Sequence, residues 1–241
     1  MNPFNLNIVV ISLKRATDRR IAVEQQFIGF NLDWEFLDAT DGYQYQPSVK
    51  EYNSKKVQKL QGYQITSAEI GCFVSHRRAW ELCVLEHRPT LILEDDFVLL
   101  STFMDALQLI FSSKTPWEAL RIQGLQGTGH SVIENMGNFD IVKNNADPIG
   151  LAAYILKPEG AKKLITNAQE IYEPVDHYFE HLKKHHLVVY ALKPYIVEVS
   201  LAPSTIDDRP DRKPVKGFKK TLRSIARQLD RMTSPQPWYP K

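Results

Sequence analysis

The first forty residues combine a strand pattern, a helix pattern and a second strand pattern in close succession. Residues 7–13 are a short apolar run rich in β-branched residues, which is typical of a buried strand. A helical pattern follows over residues 17–29. Residues 34–37 predict a second strand, and the turn signal Asp41-Gly42 comes soon after it. Strand, helix and strand at this spacing predict an α/β fold with a mainly parallel central sheet.

Later patterns extend this alternation of strands and helices. Thr66 and Glu69 fit a capping box, so we expect a helix from there to about His87. Arg88-Pro89 ends it, because the residue before a proline disfavours the helical conformation. Residues 43–65 and 194–208 are irregular and predict no regular element. We further expect strands over 90–93, 119–123, 149–157 and 187–192, and helices over 102–112, 158–168 and 174–186.

Composition narrows the class of protein. The 241 residues, 43% hydrophobic and 24% charged, suffice for one or two domains with a sizeable core. These values exclude a disordered chain, a collagen-like chain and a small disulfide-stapled protein. No apolar run approaches the roughly 20 residues of a membrane-spanning helix, and residues 1–13 lack the features of a secretory signal. Because there are only two cysteines, Cys72 and Cys83, we expect a cytoplasmic, reducing location.

The net charge of +2 conceals two oppositely charged parts. Residues 209–241 contain ten Lys or Arg and two Asp, a charge of +8, which leaves −6 for residues 1–208. Residues 215–232 place apolar side chains at spacings of three and four beside a basic row, the pattern of a basic amphipathic helix. We therefore predict a folded domain over 1–208 and a basic tail over 209–241. An acidic body and a single interior aromatic in the tail, Phe218, disfavour nucleic acid as the partner.

Three adjacent carboxylates follow the apolar strand predicted over 90–93. Side chains alternate along an extended chain, so Glu94 and Asp96 are expected to point the same way, with Asp95 between them. Two carboxylates at a strand end suit a hard divalent cation such as Mg²⁺ or Mn²⁺. A solvated turn is the alternative, but apolar residues on both sides of the cluster argue against it. Spacing alone does not separate a nucleotide-sugar site from a phosphatase or nuclease site.

The helix predicted after Thr66 carries several reactive side chains on one face. Glu69 and His76 are seven residues apart, so they share that face. His76 is either a residue of the functional site or a buried, hydrogen-bonded histidine of the core, and the pattern is compatible with both interpretations. Cys72 and Cys83 fit core thiols, since no CxxC spacing is present.

Short motifs along the chain together resemble glycosyltransferase family 25, the lipopolysaccharide and lipooligosaccharide glycosyltransferases. The resemblance covers about residues 7–205, and the motifs occur in the family's order. They are Val10 to Arg15 with Asp18-Arg19-Arg20, Asp38 to Gly42, Glu69 to Cys72 with Ser75-His76 and Trp80, Leu91 to Asp96, Gly150 to Tyr154, Gly160-Ala161, and Pro174-Val175-Asp176.

This resemblance implies a GT-A-type, Rossmann-like fold and an inverting sugar transfer. The implied donor is a UDP-sugar, with galactose ahead of glucose, and the implied acceptor is a lipooligosaccharide or lipopolysaccharide core. Members near this length act at the cytoplasmic face of the bacterial inner membrane. The acidic motif here is Glu-Asp-Asp rather than the Asp-x-Asp of many GT-A enzymes. A divalent cation, Mn²⁺ or Mg²⁺, would therefore be held by either Glu94 with Asp96 or Asp95 with Asp96.

The resemblance also implies roles for individual residues. Glu94 and Asp96 are the expected metal ligands, with Asp96 as the principal one. Asp176 is the expected general base for the acceptor hydroxyl, although it could instead cap the helix that begins there. The expected contacts of the UDP-sugar donor are Arg15, Arg19, Asp41, Glu69, His76 and Asp95. Arginine suits a diphosphate because its planar fork can bind two oxygens, but Arg15 and Arg19 could also be ordinary surface charge.

Two further expectations concern the alternatives and the tail. A metal-dependent phosphoryl-transfer or hydrolytic enzyme could use the same carboxylates, but the chain lacks a P-loop and a GxSxG elbow. We expect the tail to bind anionic lipid headgroups, at on the order of 1 kcal/mol per basic residue. The protein would then lie peripherally on the inner membrane.

Overall fold

A computed structural model describes residues 4–125, 127, 129–146, 148 and 150–200. The strands and helices alternate from the first residues onward, as the sequence predicts. In chain order the elements are β1 (Asn7–Ser12), α1 (Thr17–Phe27), β2 (Glu35–Asp38), α2 (Ser54–Leu60), α3 (Ser67–Leu85), β3 (Thr90–Glu94), β4 (Phe97–Leu99), α4 (Phe103–Ser112), β5 (Ala119–Arg121), β6 (His130–Asn135), β7 (Asp140–Asn144), β8 (Ala153–Leu156), α5 (Pro158–Asn167), α6 (Val175–Phe179), α7 (Leu182–His185), β9 (Val189–Lys193) and β10 (Val197–Val199).

An eight-stranded sheet in the order β2-β1-β3-β8-β5-β9-β7-β6 forms the centre of the fold. β1 pairs in parallel with β2 and β3, and β5 pairs in parallel with β9. β8 and β7 run against the other strands, so the sheet is mixed, with most of its strands in one direction. β4 and β10 form a separate antiparallel pair. The predicted α/β fold with a mainly parallel sheet is confirmed.

The central strands of the sheet, such as β1, β3 and β8, are buried on both faces, which explains their unbroken apolar runs. Alternate residues of β1 enter two different clusters. Val9 packs on the face covered by α3 and α5, and Val10 packs on the face covered by α1 and α4. β3 follows the same alternation, with Ile92 on the α3 face and Leu93 on the other. Helices on both sides of the sheet therefore define the layers of the fold.

α3 begins where its sequence predicts. The hydroxyl of Thr66 accepts a hydrogen bond from the backbone N–H of Glu69 at 3.2 Å, and the carboxylate of Glu69 accepts one from the backbone N–H of Thr66 at 2.9 Å. These reciprocal bonds satisfy two N–H groups that a helix start leaves unpaired. The predicted capping box is confirmed.

Several elements have no clear signal in the sequence. α2 lies in the segment 43–65 and β10 in the segment 194–208, both expected to be irregular. The β6–β7 hairpin also went unpredicted, because β6 is almost wholly exposed and shows no alternation of apolar residues. The single helix predicted over 174–186 is two short helices, α6 and α7. Buried side chains on both pieces keep helical spacing across the break, so periodicity does not reveal it.

No helix within the described residues is both long enough and apolar enough to cross a bilayer. The predicted boundary at 208/209 and the basic tail over 209–241 lie outside the described residues.

Candidate functional site

A cleft opens where β1, β2 and β3 end and α3 begins. Open α/β sheets bind ligands at the carboxyl ends of their strands, so the cleft lies where ligands are expected in such a fold. Its lining brings together most of the site residues predicted from the sequence. The polar and charged lining residues are Ser12, Arg15, Arg19, Thr40, Asp41, Tyr43, Ser75, His76, Glu94, Asp95 and Asp96, together with Cys72.

Two glycines allow one wall of the cleft to form. A β-carbon on Gly42 would lie 1.7 Å from the backbone oxygen of Ser67, and one on Gly71 would lie 2.5 Å from the backbone oxygen of Thr40. Real side chains cannot approach backbone so closely, so the loop after β2 contacts the first turns of α3 backbone to backbone. The N–H of Thr40 also donates to the hydroxyl of Ser75 at 2.8 Å, which closes this contact.

Asp95 is held by two donors from neighbouring elements. Ser12, at the end of β1, donates to one carboxylate oxygen at 2.7 Å, and Arg19 of α1 donates to the other at 2.7 Å. The side chains of Arg19 and Asp95 are both largely buried, so water screens this ion pair less than a surface pair. Because both oxygens of Asp95 are engaged, this carboxylate is a poorer candidate metal ligand than its neighbours.

Asp96 has a buried carboxylate oxygen that could coordinate a cation. Its Oδ1 is buried and has no hydrogen-bond partner among the residues that the structure describes. Burial raises the pKa of Asp96 to about 6, the neighbouring Glu94 charge adds to that rise, and Arg19 opposes it. A buried oxygen without a donor, beside a second carboxylate, fits a hard divalent cation. The residues of this cleft therefore fit the metal that the sequence predicts.

The geometric premise behind the paired ligands needs correction. β3 ends at Glu94, and residues 95 and 96 form a turn before β4. The alternation of an extended chain, from which Glu94 and Asp96 were expected to point the same way, therefore does not apply. The turn nevertheless leaves both carboxylates on the cleft lining and close enough for the charge of Glu94 to affect Asp96.

Glu94 is connected to the protein interior through His76. Nε2 of His76 lies 3.1 Å from Oε1 of Glu94, and Nδ1 of the same ring lies 2.9 Å from the hydroxyl of Tyr154. Trp80 donates its indole N–H to that hydroxyl at 2.7 Å. The alternative left open for His76, a buried and hydrogen-bonded ring, therefore matches its environment. The sequence analysis includes Tyr154 in the motif Gly150 to Tyr154 but gives it no role, because a tyrosine within an apolar strand is typical of core packing.

Arg15 and Asp41 form an ion pair at the cleft surface. Hydrogen bonding from Arg15 lowers the pKa of Asp41 below its ordinary value. More than half of the Arg15 side chain is exposed, whereas Asp41 is largely covered. Exposed pairs of this kind contribute only about 0–1 kcal/mol, so Arg15 can change partner at little cost.

Two predicted site residues are not among those that line the cleft. Glu69 is 3% exposed, and its carboxylate is used in the capping box with Thr66. Asp176 is the second residue of α6, and its Oδ1 accepts the backbone N–H of His177 at 2.9 Å. The helix cap itself is Pro174, so the alternative of Asp176 as the N-cap is not what the structure has. Its role as a base stays a prediction.

Comparison with known proteins agrees with the motifs. The family model described as glycosyltransferase family 25 (LPS biosynthesis protein) matches residues 5–179. The chain is 27% identical over 171 residues to lipooligosaccharide biosynthesis protein lic2B of Haemophilus influenzae, covering 64% of this chain and 60% of that protein. It is 27% identical over 173 residues to human procollagen galactosyltransferase 2, covering 66% of this chain and 27% of that protein.

A second human relative is named as inactive, so similarity in sequence to this family does not by itself establish activity. The human inactive glycosyltransferase 25 family member 3 is 26% identical over 174 residues, covering 66% of this chain and 28% of that protein. The chain spans less than two thirds of the length of each of these three relatives. The family model, in contrast, covers well over half of the chain, including every element from β1 to α6. This chain therefore belongs to glycosyltransferase family 25.

Proposed function

We propose that this protein transfers a hexose from a UDP-sugar to a lipooligosaccharide or lipopolysaccharide core, with inversion at the anomeric carbon. Galactose is the first choice of sugar and glucose the second. The observation that carries the proposal is the buried Oδ1 of Asp96, which has no partner within the described part of the chain and lies in a cleft that also contains Arg15 and Arg19. A cation and two guanidinium groups in one cleft would bind a diphosphate, because all three carry positive charge. The names of the lic2B protein and of procollagen galactosyltransferase 2 support the choice of acceptor and sugar.

Asp96 and Glu94 are the residues that would hold Mn²⁺ or Mg²⁺. When bound, such an ion supplies positive charge that neutralises the diphosphate leaving group. Asp96 would be the principal ligand, because its buried Oδ1 meets no donor from the described residues. Glu94 would be the second ligand, with its orientation set by His76.

The two arginines would bind the donor in different ways. Arg19 is fixed by Asp95 and lies at the start of α1, so it offers a positioned positive charge. Arg15 is exposed and can leave Asp41 to reach an incoming phosphate, since a surface pair is weak. Both would favour the diphosphate through charge-assisted hydrogen bonds. Donor binding would thus replace an internal ion pair of the cleft with one to the ligand.

The transfer itself would be a single displacement. The acceptor hydroxyl oxygen forms a bond to the anomeric carbon while the bond from that carbon to the diphosphate oxygen breaks, and UDP leaves with the bonding electrons. The hydroxyl proton must pass to a base. We assign that role to Asp176, which is partly exposed in the first turn of α6.

We also place the protein peripherally on the cytoplasmic face of a bacterial inner membrane, through the basic tail over 209–241. The support is the charge of +8 in this segment and the lipid anchoring of the proposed acceptor.

Two measurements test the proposed function. Calorimetry with UDP should show binding that depends on Mn²⁺ or Mg²⁺. The purified protein should then transfer sugar from one of UDP-Gal, UDP-Glc and UDP-GlcNAc to a lipooligosaccharide core. Cleavage of a simple phosphoester, without any sugar transfer, would instead support the hydrolytic alternative. Binding of neither UDP nor a divalent cation would refute both.

A further inference from the structure

Four side chains form a continuous hydrogen-bonded line from the core to the cleft. Trp80 contacts Tyr154, Tyr154 contacts His76, and His76 contacts Glu94, at 2.7, 2.9 and 3.1 Å. The first three residues are fully buried, whereas one third of the Glu94 side chain is exposed. We call this set the Trp80–Glu94 chain. It connects a cleft carboxylate to fully buried residues of the core.

Element geometry brings the four residues together. His76 and Trp80 are one helical turn apart on α3, so they share a face. Tyr154 of β8 is the cross-strand partner of Ile92 in β3, and Glu94 follows Ile92 by two residues. Paired residues and residues two apart point to the same face of a sheet, so Tyr154 and Glu94 both point toward α3.

The direction of each hydrogen bond follows from the chemistry of the groups. The indole N–H of Trp80 can only donate, so the hydroxyl of Tyr154 accepts it. Burial raises the pKa of Tyr154 well above its ordinary value, so the hydroxyl keeps its hydrogen. That hydrogen is donated to Nδ1 of His76. Nδ1 is then an acceptor, and a neutral ring must carry its hydrogen on Nε2, from which it donates to Glu94.

The opposite tautomer of His76 leaves one hydrogen bond of the Trp80–Glu94 chain unmade. With its hydrogen on Nδ1, His76 would donate to Tyr154, whose own O–H would then have no other acceptor among the described residues. An unmade hydrogen bond on a buried group costs about 1–3 kcal/mol. In addition, the Nε2 lone pair would face the carboxylate of Glu94. The Trp80–Glu94 chain therefore favours a single tautomer.

The same reasoning argues against a zinc-type site formed by Cys72, His76 and Glu94. Sγ of Cys72, a ring nitrogen of His76 and a carboxylate oxygen of Glu94 lie within 4.8 Å of one another, as ligands of a soft metal could. A metal needs the lone pair of Nε2, and its histidine ligand normally donates the other ring N–H to an acceptor. In the tautomer inferred above the hydrogen is on Nε2, and Nδ1 accepts a hydrogen bond from Tyr154.

We propose that Trp80, Tyr154 and His76 are positioning residues, which lock the His76 ring so that its Nε2–H fixes the carboxylate of Glu94 for the donor-bound cation. The cation part of this inference rests on the proposed function, whereas the tautomer does not. Partners that orient a ligand in this way typically affect metal affinity or activity by about 10–100-fold.

The core of the protein contains two buried tyrosines whose phenylalanine variants can be compared. Tyr154→Phe removes the central hydroxyl of the Trp80–Glu94 chain. Tyr178→Phe removes another fully buried hydroxyl in the same core cluster, one that donates to the backbone oxygen of Leu164 at 2.6 Å. Tyr154→Phe loses two buried hydrogen bonds and Tyr178→Phe loses one, at about 0.5–1.5 kcal/mol each, so urea unfolding of both variants should accompany the binding measurements. Only the first should disturb His76.

The first readout is ¹⁵N NMR of the histidine rings in metal-free protein. Wild type and Tyr178→Phe should show His76 with its hydrogen on Nε2 and with Nδ1 accepting a hydrogen bond, whereas in Tyr154→Phe the Nδ1 signal should shift because Nδ1 has lost its donor. The second readout is calorimetry with Mn²⁺ in the presence of UDP. Tyr154→Phe should bind about 10–100-fold more weakly, and Tyr178→Phe should match wild type.

His76 variants separate positioning from proton transfer. Glutamine can accept from Tyr154 through its carbonyl and donate to Glu94 through its N–H, but it cannot act as an acid or base near neutral pH. His76→Gln should therefore keep more of the Mn²⁺ affinity and of the transfer rate than His76→Ala. Equal losses in the two variants would overturn the positioning role.

Two other results would also overturn the inference, and they differ in what else they affect. An Nδ1 signal of His76 that does not respond to Tyr154→Phe refutes the Trp80–Glu94 chain alone. A wild-type protein with the expected tautomer that binds no Mn²⁺ refutes the proposed function, and with it the use of Glu94 as a cation ligand.

Discussion

Arg19 of α1 donates to Asp95 at 2.7 Å across the carboxyl end of the sheet, within a cleft that also contains Arg15. The pair joins the first helix to the turn after β3, and its members are mostly shielded from water. Arg19 also opposes the rise in the pKa of Asp96. One arginine thus supports both the shape of the cleft and the charge on its candidate metal ligand.

Replacing the two arginines should separate stability from donor binding. Arg19→Gln should lower the free energy of unfolding by about 1–2 kcal/mol, because it leaves a shielded carboxylate short of a donor. Arg15→Gln should change it by less than about 1 kcal/mol, because its pair is exposed. Both should weaken UDP binding measured by calorimetry. Unaltered UDP affinity in Arg15→Gln would contradict the role assigned to Arg15.

Asp96 should oppose folding when it is charged. Its pKa is about 6 in the folded protein and close to 3.8 when unfolded, so the folded state holds this proton more tightly. The contribution of Asp96 to stability therefore falls as the pH rises from about 4 to about 6. A rise of about two pKa units corresponds to at most about 3 kcal/mol, and partial exposure reduces this to about 1–2 kcal/mol.

Asp96→Asn should accordingly stabilise the metal-free protein at pH 8 by about 1–2 kcal/mol in urea unfolding, and should have little effect near pH 4. The same variant should lose Mn²⁺ binding. In wild type, Mn²⁺ affinity should weaken below pH 6, as protons compete for the carboxylate. A variant that is less stable than wild type at pH 8 would show that Asp96 is satisfied within the protein, against the assignment as a ligand.

Gly42 and Gly71 should tolerate no side chain. Gly42→Ala places a methyl group against the backbone of Ser67, and Gly71→Ala places one against Thr40 and Gly42. Backbone cannot move aside as a flexible side chain can, so each should cost about 1–3 kcal/mol or more and should weaken UDP binding. Gly127→Ala, whose methyl group meets no atom of the described residues within 4 Å, is the control and should be neutral. Normal UDP binding in Gly42→Ala would show that this contact does not shape the site.

The sequence was sufficient for features that depend on local patterns. The buried strands β1 and β3, the capping box of α3 and the acidic cluster at the end of β3 all follow from short runs of residues. Features that depend on distant partners were not predictable. The hydroxyl of Tyr154 meets His76 across 78 residues of chain, and Ser12 meets Asp95 across 83. No periodicity in the sequence indicates such contacts, since they arise only when strands pair.

Deleting residues 209–241 should lower binding to vesicles that contain anionic lipid. Each basic residue near such a surface contributes on the order of 1 kcal/mol, and salt weakens the attraction. Transfer to a soluble acceptor should be unaffected, because the cleft lining and Asp176 both lie before the deleted segment. Vesicles of neutral lipid are the control and should bind neither form. Full binding of the truncated protein to anionic vesicles would refute the tail as the membrane contact.

Asp176→Asn distinguishes catalysis from helix stability. A general base contributes about 10² or more to kcat, and asparagine cannot take the acceptor proton. A first-turn acidic residue otherwise contributes only about 0.3–1 kcal/mol through the helix dipole. Glu159→Gln is a matched control, because Glu159 is also an acidic residue in the first turn of its helix, α5. We expect Asp176→Asn to lose at least about 100-fold in kcat with little change in UDP affinity, and Glu159→Gln to keep full activity. Similar activity in the two variants would show that Asp176 is not the general base and contributes only to the stability of α6.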